Sequence, residues 1–448
     1  MRLHAHALSL LTLLFACGDE AAEPTGTETG SATAALTCPV VVSEAACDKS
    51  LRPIVFIHGT MGAADNAEHI AMLFGSNGYC QERFVAVDYN SLGDDPRNAV
   101  DALITKVLAD TGQTKVDLMG HSQGARWGYD YVADAKRAER VANYIHLAGR
   151  GQPNKPSGVR TMSIASKADA TGTNEITGAD KIVIEEKQDH MGVAMSSESF
   201  GHMFEFLLGR APQYTEVQCG DEQVTLLAKV ASFGDNVPMV GATAEFWELS
   251  DDYDPRKRAA PAVSQVVGAD GVVGPMKVRR GVPYEGRLKT ADGRVVGHMY
   301  TTPWKRSDYL VRSLVPSSSG ITSAVTNQLP KDDNQTVLVA RYNQSALRTD
   351  LGHTLKIDGV ESLVPALTDA SQTTVGYFLW DTNTNGASEL TPNPFLSLIP
   401  FVKGADFAIP AAVPKLVTLE FNDGKTATTV KIPNWPSASE GPIVVMFQ

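Results

Sequence analysis

The sequence predicts an α/β architecture: one compact parallel sheet flanked by helices, followed by two all-β, sandwich-like domains. Three observations carry this reading. Short apolar runs alternate with helix-like stretches over 53–210, and one of those runs leads directly into Gly-x-Ser-x-Gly at 120–124. After Gly209-Arg210-Ala211-Pro212 the helical periodicity gives way to Val, Thr, Gly, Pro and tight-turn dipeptides. At 448 residues the chain exceeds what one core supports and suits two or three domains.

The N-terminal residues read as a targeting segment rather than as fold. Arg2 precedes an apolar run over 7–16 that is too short to anchor in a bilayer. Leu14-Phe15-Ala16-Cys17 resembles the bacterial lipobox, which makes 1–17 a signal peptide and Cys17 a lipidation site anchoring an exported protein to the cell envelope. Cleavage without lipidation is the alternative, and gives a secreted protein. Residues 18–37 carry too little apolar surface to fold and read as a flexible tether. With Cys17 set aside, Cys38, Cys47, Cys80 and Cys219 form an even set in an oxidising compartment. Three pairings are open. The expected one closes a short loop with Cys38–Cys47 and ties the first domain to its neighbour with Cys80–Cys219. No spacing suits a zinc site, and no metal is expected. A net charge of -12 without a basic run argues against nucleic acid as a partner.

Residues 38–212 form the first expected domain. Its strands are predicted at 53–57, 84–87, 115–119, 143–147 and 160–165, with helices at about 64–76, 96–111, 123–137 and 196–208. In 96–111, Val100, Leu103, Ile104, Val107 and Leu108 recur at helical spacing and make one buried face. No long insertion separates 143–147 from 160–165, which leaves little room for a large helical lid. The β region divides at the linker-like stretch 316–320 into domains 213–318 and 319–448. Runs such as 223–230 and 417–421 alternate with period two, as half-buried strands do.

The chemistry concentrates around Ser122. A turn tight enough to lift its hydroxyl above the sheet requires near-absent side chains on both flanks, which Gly120 and Gly124 supply, and it points the Gln123 N–H at the reaction centre. Acyl transfer also needs a base, an acid to hold it, and a second oxyanion donor. In the order Ser…Asp…His, Asp169 follows the strand 160–165 directly, with Asp180 as the rival acid. Among the histidines, His58 and His121 flank the two turns and read as local hydrogen-bonding groups. His69 precedes Ser122, His146 lies in a strand, His202 lies in the last helix, and His298 and His353 fall in the β region. His190, on a loop ahead of the final helix, remains as the base. The second donor belongs in the turn after the first strand.

His58-Gly59-Thr60, Gly120-His121-Ser122-Gln123-Gly124 and Asp189-His190 make residues 53–210 resemble the bacterial lipases of the α/β-hydrolase superfamily. The whole chain is similar to secreted bacterial and archaeal lipases with an all-β C-terminal extension for lipid binding. Residues 223–290, with 241–246 and 270–274, are similar to transthyretin-like sandwich modules. The resemblance implies a serine ester hydrolase acting on lipid or other carboxylic esters without a cofactor. It also implies an oxyanion hole formed by the N–H groups of Thr60 and Gln123, with Met61 as the fallback for Thr60. Rival readings are a short-chain or polyester carboxylesterase and an acyltransferase using the same triad. From a different class comes a surface lipoprotein that binds lipid or glycan, its hydrolase domain idle.

Two weaker signals lie in the last domain. Asp381-Thr382-Asn383-Thr384-Asn385-Gly386 mimics the start of an EF-hand loop, but Pro392 stands where the bidentate Glu is needed. A structural turn is expected there, with an irregular Ca²⁺ site as the alternative. The apolar, proline-broken stretch 394–402 reads as a strand and turn in the β core, or as a lipid-contacting loop.

Overall fold

A computed structural model of the chain describes residues 36, 38–169, 175–184, 188–249, 253–315, 320–411 and 415–448. The predicted signal peptide, Cys17 and nearly all of the tether lie outside the described residues. The first half contains strands β1 (Ile54–Ile57), β2 (Phe84–Val87), β3 (Val116–His121), β4 (Val141–Leu147), β5 (Arg160–Ser166) and β6 (Asp180–Ile184). They form one parallel sheet in the order β2-β1-β3-β4-β5-β6. Helices α1 (Glu68–Ser76), α2 (Arg97–Thr111), α3 (Gln123–Ala133), α4 (Ala135–Ala138), α5 (Gly192–Met195) and α6 (Ser197–Leu208) cover it.

Strand pleat decides which helix each residue meets. Along β1, Ile54 and Phe56 pack into the core shared with α1 and α6, whereas Val55 and Ile57 face α2 and α3. In α2, Val100, Ile104 and Val107 are the buried stripe, and Gly112 ends the helix in a left-handed turn (φ 68°). The predicted helix 123–137 divides at Asp134, whose carboxylate accepts the N–H groups of Lys136 and Arg137 and so caps α4. Edge strand β6 was not anticipated, because Asp180 and Lys181 leave its first half polar and exposed.

The second half begins with β7 (Gln223–Ser232), β8 (Thr243–Glu248), β9 (Val263–Val266), β10 (Val272–Arg279), β11 (Tyr284–Lys289), β12 (Val295–Thr301) and β13 (Asp308–Val315). Helix α7 (Gly320–Gln328) follows, a departure from the all-β reading of this half. Then come β14 (Leu338–Tyr342), β15 (His353–Ile357), β16 (Val360–Glu361), β17 (Gly376–Trp380) and β18 (Val402–Asp406). The chain closes with β19 (Leu416–Asp423), β20 (Ala427–Pro433) and β21 (Ile443–Phe447). Three sheets result: β10-β7-β13, the eight-stranded β18-β17-β14-β21-β12-β11-β8-β9, and β16-β15-β19-β20.

The eight-stranded sheet draws strands from both sides of the 316–320 stretch. Its seam is β21, paired in parallel with β12 on one side and β14 on the other. One end of the sheet packs on β7 and β10 through Val224, Leu226, Phe246 and Met276. The other end packs on β15, β19 and β20 through Leu338, Ala340, Leu419 and Val445. In β14 the alternate residue, Val339, belongs to a separate apolar cluster with Phe378, Val402 and, from the first half, Met61. Both faces of this sheet are therefore buried, one of them against the parallel-sheet half.

The disulfides correct the expected pairing: Cys38 bonds Cys219, and Cys47 bonds Cys80. Backbone pairing selects the partners rather than closeness in sequence. The Val42 N–H donates to the Cys219 carbonyl at 2.8 Å, and the Asp48 N–H to the Gly78 carbonyl at 2.8 Å. These contacts bring the cysteine Cα atoms to 5.7 and 4.9 Å, within bonding reach.

Burial holds several imidazoles neutral, among them His146, whose pKa is pushed down to about 4. Unfolded, His146 protonates near 6.5, so its contribution to stability is complete above that pH and lost as pH falls through about 4. Two measurements check the fold. Peptide mapping without reduction should recover the 38–219 and 47–80 cross-links, and a 38–47 peptide would contradict the pairing. Between pH 6.5 and 4 the stability of His146→Gln relative to wild type should rise by about 1.4 kcal/mol per pH unit, and a pH-independent difference would contradict the neutral assignment.

Candidate active site

The turn from β3 into α3 is shaped by backbone crowding. A Cβ on Gly120 would lie 2.4 Å from the Gly124 carbonyl oxygen, and one on Gly124 would lie 2.2 Å from that of Ile57. Only glycine fits at either position. Between them Ser122 adopts φ 57° and ψ -119°, a sparsely populated region for a residue with a side chain. Its N–H donates to the Leu147 carbonyl at 2.9 Å, which ties the turn to the end of β4.

The turn after β1 lies against this serine. A Cβ on Gly59 would fall 2.8 Å from Ser122 Cβ and 3.3 Å from its Oγ. Thr60 Oγ1 donates to Gln123 Oε1 at 3.3 Å, linking the two turns. The Met61 N–H is already given to Ser91 Oγ at 2.7 Å, whereas the Thr60 N–H has no acceptor among the described residues. Of the two oxyanion candidates, Thr60 therefore has the uncommitted amide. Gln123 begins α3, so its N–H is one that the helix leaves unpaired.

His190 and Asp169 meet as the sequence order requires. His190 Nδ1 lies 2.9 Å from Asp169 Oδ2, both side chains being almost fully buried. This contact assigns the ring proton to Nδ1 and leaves Nε2 as the basic nitrogen. Ser122 and His190 line one cleft together with Gly59 and Thr60. Asp180 takes no part, since its exposed carboxylate faces Arg160 on the sheet edge.

The neighbouring histidines are local supports. His121 Nε2 donates to the His190 carbonyl at 2.9 Å, and burial pushes its pKa down to about 3, so it stays neutral. His58 stacks on Tyr89 and donates from Nδ1 to the Gly59 carbonyl at 2.8 Å, with burial lowering its pKa to about 4. His146 bonds Tyr144 and the Arg150 carbonyl inside the core. His69 is buried in α1, and His298 pairs with Glu285 in the β half.

Several residues that support the site had no signal in the sequence, and all come from the second half. Arg348 is buried and pairs with Asp189 at 3.1 Å and Asp350 at 2.7 Å. Asp189 also accepts the N–H groups of Met191 and Gly192, each at 2.8 Å, and so shapes the loop bearing His190. Asn236 donates to the carbonyls of Gly62 and Tyr89, bracing the Gly59 turn from outside. Arg312 holds Asn236 and pairs with Asp88 at 2.7 Å. Burial alone would raise the Asp88 carboxyl, but Arg312 and Lys229 outweigh it and hold its pKa at about 2.

The cleft, about 1100 Å³ with its open mouth, is walled mainly by the second half: Val325, Leu329, Val339, Phe378, Phe401 and Val444. No helical insertion separates β4 from β5, and the second half, including helix α7, closes the cleft instead. The 394–402 stretch divides accordingly. Leu396 and Ile399 are buried, Leu398 is 82% exposed, and Phe401 stacks over His190 at 6.4 Å between ring centroids. At the EF-hand-like turn, the Asp381 carboxylate accepts the N–H groups of Asn385 at 3.2 Å and Gly386 at 2.7 Å, so the loop closes on itself.

Comparison with known families gives three matches along the chain. Residues 51–136 match the model for lipase (class 2), residues 222–318 that for the lipase C-terminal domain, and residues 324–448 a further C-terminal domain model. Among solved structures, an α/β-hydrolase enzyme from a sediment metagenome of the Mar Chica lagoon, Morocco, is 16% identical, with a TM-score of 0.27. That match covers 35% of this chain and 89% of its own. A Bacillus licheniformis lipase in propeptide form is 12% identical over 86% of this chain and 94% of its own, with a TM-score of 0.31. A Bacillus subtilis carboxylesterase is 11% identical over 37% and 86%, with a TM-score of 0.27. The parallel-sheet topology is that of an α/β-hydrolase fold, residues 51–136 are similar to class 2 lipases, and residues 222–318 are similar to a lipase C-terminal domain.

Proposed function

We propose that the protein is a lipase-like serine hydrolase that cleaves carboxylic esters through an acyl-enzyme. One observation carries the proposal: Ser122, on its strained turn, opens into the same apolar cleft as a histidine whose Nδ1 is held by a buried aspartate. In this reading Ser122 Oγ attacks the ester carbonyl carbon while His190 Nε2 takes its proton. Asp169 holds the imidazole tautomer and offsets the charge that develops on it. The N–H groups of Thr60 and Gln123 receive the oxyanion, and the α3 N-terminus adds its dipole at the same point. His190 then protonates the departing alcohol. Water, deprotonated by the same nitrogen, attacks the acyl-enzyme and releases the acid.

The apolar wall favours acyl chains, each buried methylene contributing about 0.8 kcal/mol. The two disulfides support an exported protein, and no helix among the described residues is long and apolar enough to cross a membrane. Export through the 1–17 signal and anchoring through lipidated Cys17 belong to the same proposal.

A panel of p-nitrophenyl esters and triacylglycerols tests the reading. Ser122→Ala and His190→Ala should each lose about 10³-fold or more in kcat, and Asp169→Asn a comparable factor. Activity that survives Ser122→Ala would exclude this mechanism, and a wild type inert on every ester would exclude the function. Gly59→Ala places a methyl group 2.8 Å from Ser122 Cβ, so the serine must shift: kcat should fall strongly, with a smaller loss of melting temperature than at Gly124. Gly124→Ala meets two backbone carbonyls and should instead lower the melting temperature sharply. Equal effects of the two on both readouts would contradict the steric account. Arg348→Met leaves Asp189 buried without its cation, a change that costs about 3–5 kcal/mol at comparable sites. It should reduce both stability and turnover, and an unchanged kcat would remove Arg348 from the support of His190.

A further inference from the structure

We infer that Arg341 makes the cleft selective for acyl groups that carry a neutral acceptor oxygen along the chain, such as a keto or second ester carbonyl. The inference rests on the ester-hydrolase reading above and adds the substrate class. Its starting point is strand alternation in β14. Leu338, Ala340 and Tyr342 turn into the β core, while Val339 and Arg341 line the cleft, with Val444 paired opposite Val339. A guanidinium is thus built into a wall that is otherwise mostly apolar.

Its hydrogen bonding is far from complete. The Arg341 side chain is 10% exposed and gives one hydrogen bond, to Asp65 Oδ2 at 2.7 Å, with Asp65 itself lining the cleft. A guanidinium carries five N–H donors. No other acceptor serves Arg341 among the described residues, and the residue lines the cleft. Asn236, another polar lining residue, already spends its amide on the carbonyls of Gly62 and Tyr89. Arg341 is therefore a donor with capacity to spare, on the surface that an acyl chain would cover.

Charge decides what kind of oxygen suits it. Asp65 already neutralises the guanidinium, and Glu68 and Asp308 lie buried close behind. Burial raises both of their pKa values, with each carboxyl close to the other and to Asp65. A substrate carboxylate would meet the Asp65 carboxylate already paired with Arg341, whereas a carbonyl oxygen accepts an N–H without adding charge. Placing an ion pair in an apolar wall does not by itself stabilise a fold, because apolar replacements are often neutral or better. The competing account is a structural tie between β14 and the 3-10 turn Ala64–Ala67.

The test uses the full chain and p-nitrophenyl esters of equal length, either unsubstituted or with one keto group moved carbon by carbon along the acyl chain. A terminal carboxylate series runs beside them. In the wild type one keto position should exceed the plain ester in kcat/KM by about tenfold or more, the usual worth of a charge-assisted hydrogen bond. In the double variant Asp65→Asn, Arg341→Met, which leaves no lone buried charge, that ratio should fall to about one. A ratio unchanged in the double variant, or no preferred keto position, would overturn the inference while leaving the hydrolase reading intact. Preference for the terminal carboxylate would overturn the neutral-acceptor assignment. Calorimetric binding of the same esters to Ser122→Ala, with Arg341 in place, gives a second readout that needs neither turnover nor the double variant. Tighter binding of the keto ester supports the site, and equal binding refutes it. A wild type that hydrolyses none of the esters, paired with selective binding by Ser122→Ala, would refute the hydrolase reading and keep the Arg341 site.

Discussion

Backbone approaching backbone is the constraint on which the site depends. Gly124 lies so close to the carbonyls of Ile57 and His58 that no side chain fits, and Gly59 meets Ser122 with the same economy. These contacts fix the distance between the end of β1 and the start of α3, where the candidate oxyanion donors Thr60 and Gln123 lie. They also hold Ser122 in a backbone conformation it would not otherwise keep. Energy spent on that strain is recovered from the sheet beneath, where β1 and β3 are buried along their whole length.

The second half takes part in the site from several directions. Arg348 reaches Asp189 beside His190, Asn236 and Arg312 brace the turn that carries Thr60, and Phe401 stacks on His190. The eight-stranded sheet adds Val339, Phe378, Val402 and Val444 to the apolar wall. The second half is therefore part of the site and not a separate appendage. It completes the cleft, with lining residues more than two hundred positions from Ser122.

What was legible in the sequence follows from locality. Strand β3 running into Gly120–Gly124 and the helix stripe Val100, Ile104 and Val107 are written within short windows, and the order Ser122, Asp169, His190 follows from which residues end successive strands and loops. The parallel sheet and the residues gathered at its edge could therefore be named in advance. The contributions of Arg348, Asn236, Phe401 and Arg341 could not, because each depends on which strands of the second half face the first. In β14 all five residues are buried, so alternation gives no sign that Val339 and Arg341 serve the cleft while their neighbours serve the β core. The disulfides failed for a similar reason: Cys38 finds Cys219 through a backbone pairing at Val42 that nothing nearby announces.

The most direct test of the central claim, a Ser122 nucleophile activated in a cleft that both halves build, is covalent labelling of the full chain with an alkyl fluorophosphonate. Attack by Oγ at phosphorus expels fluoride and leaves a stable phosphonyl ester. Intact mass and peptide mapping should show a single adduct on the peptide containing Ser122. Labelling should be absent in Ser122→Ala, strongly slowed in His190→Ala, and faster as the alkyl chain lengthens to fill the cleft. An adduct at another residue, or labelling at the same rate in His190→Ala, would contradict the account.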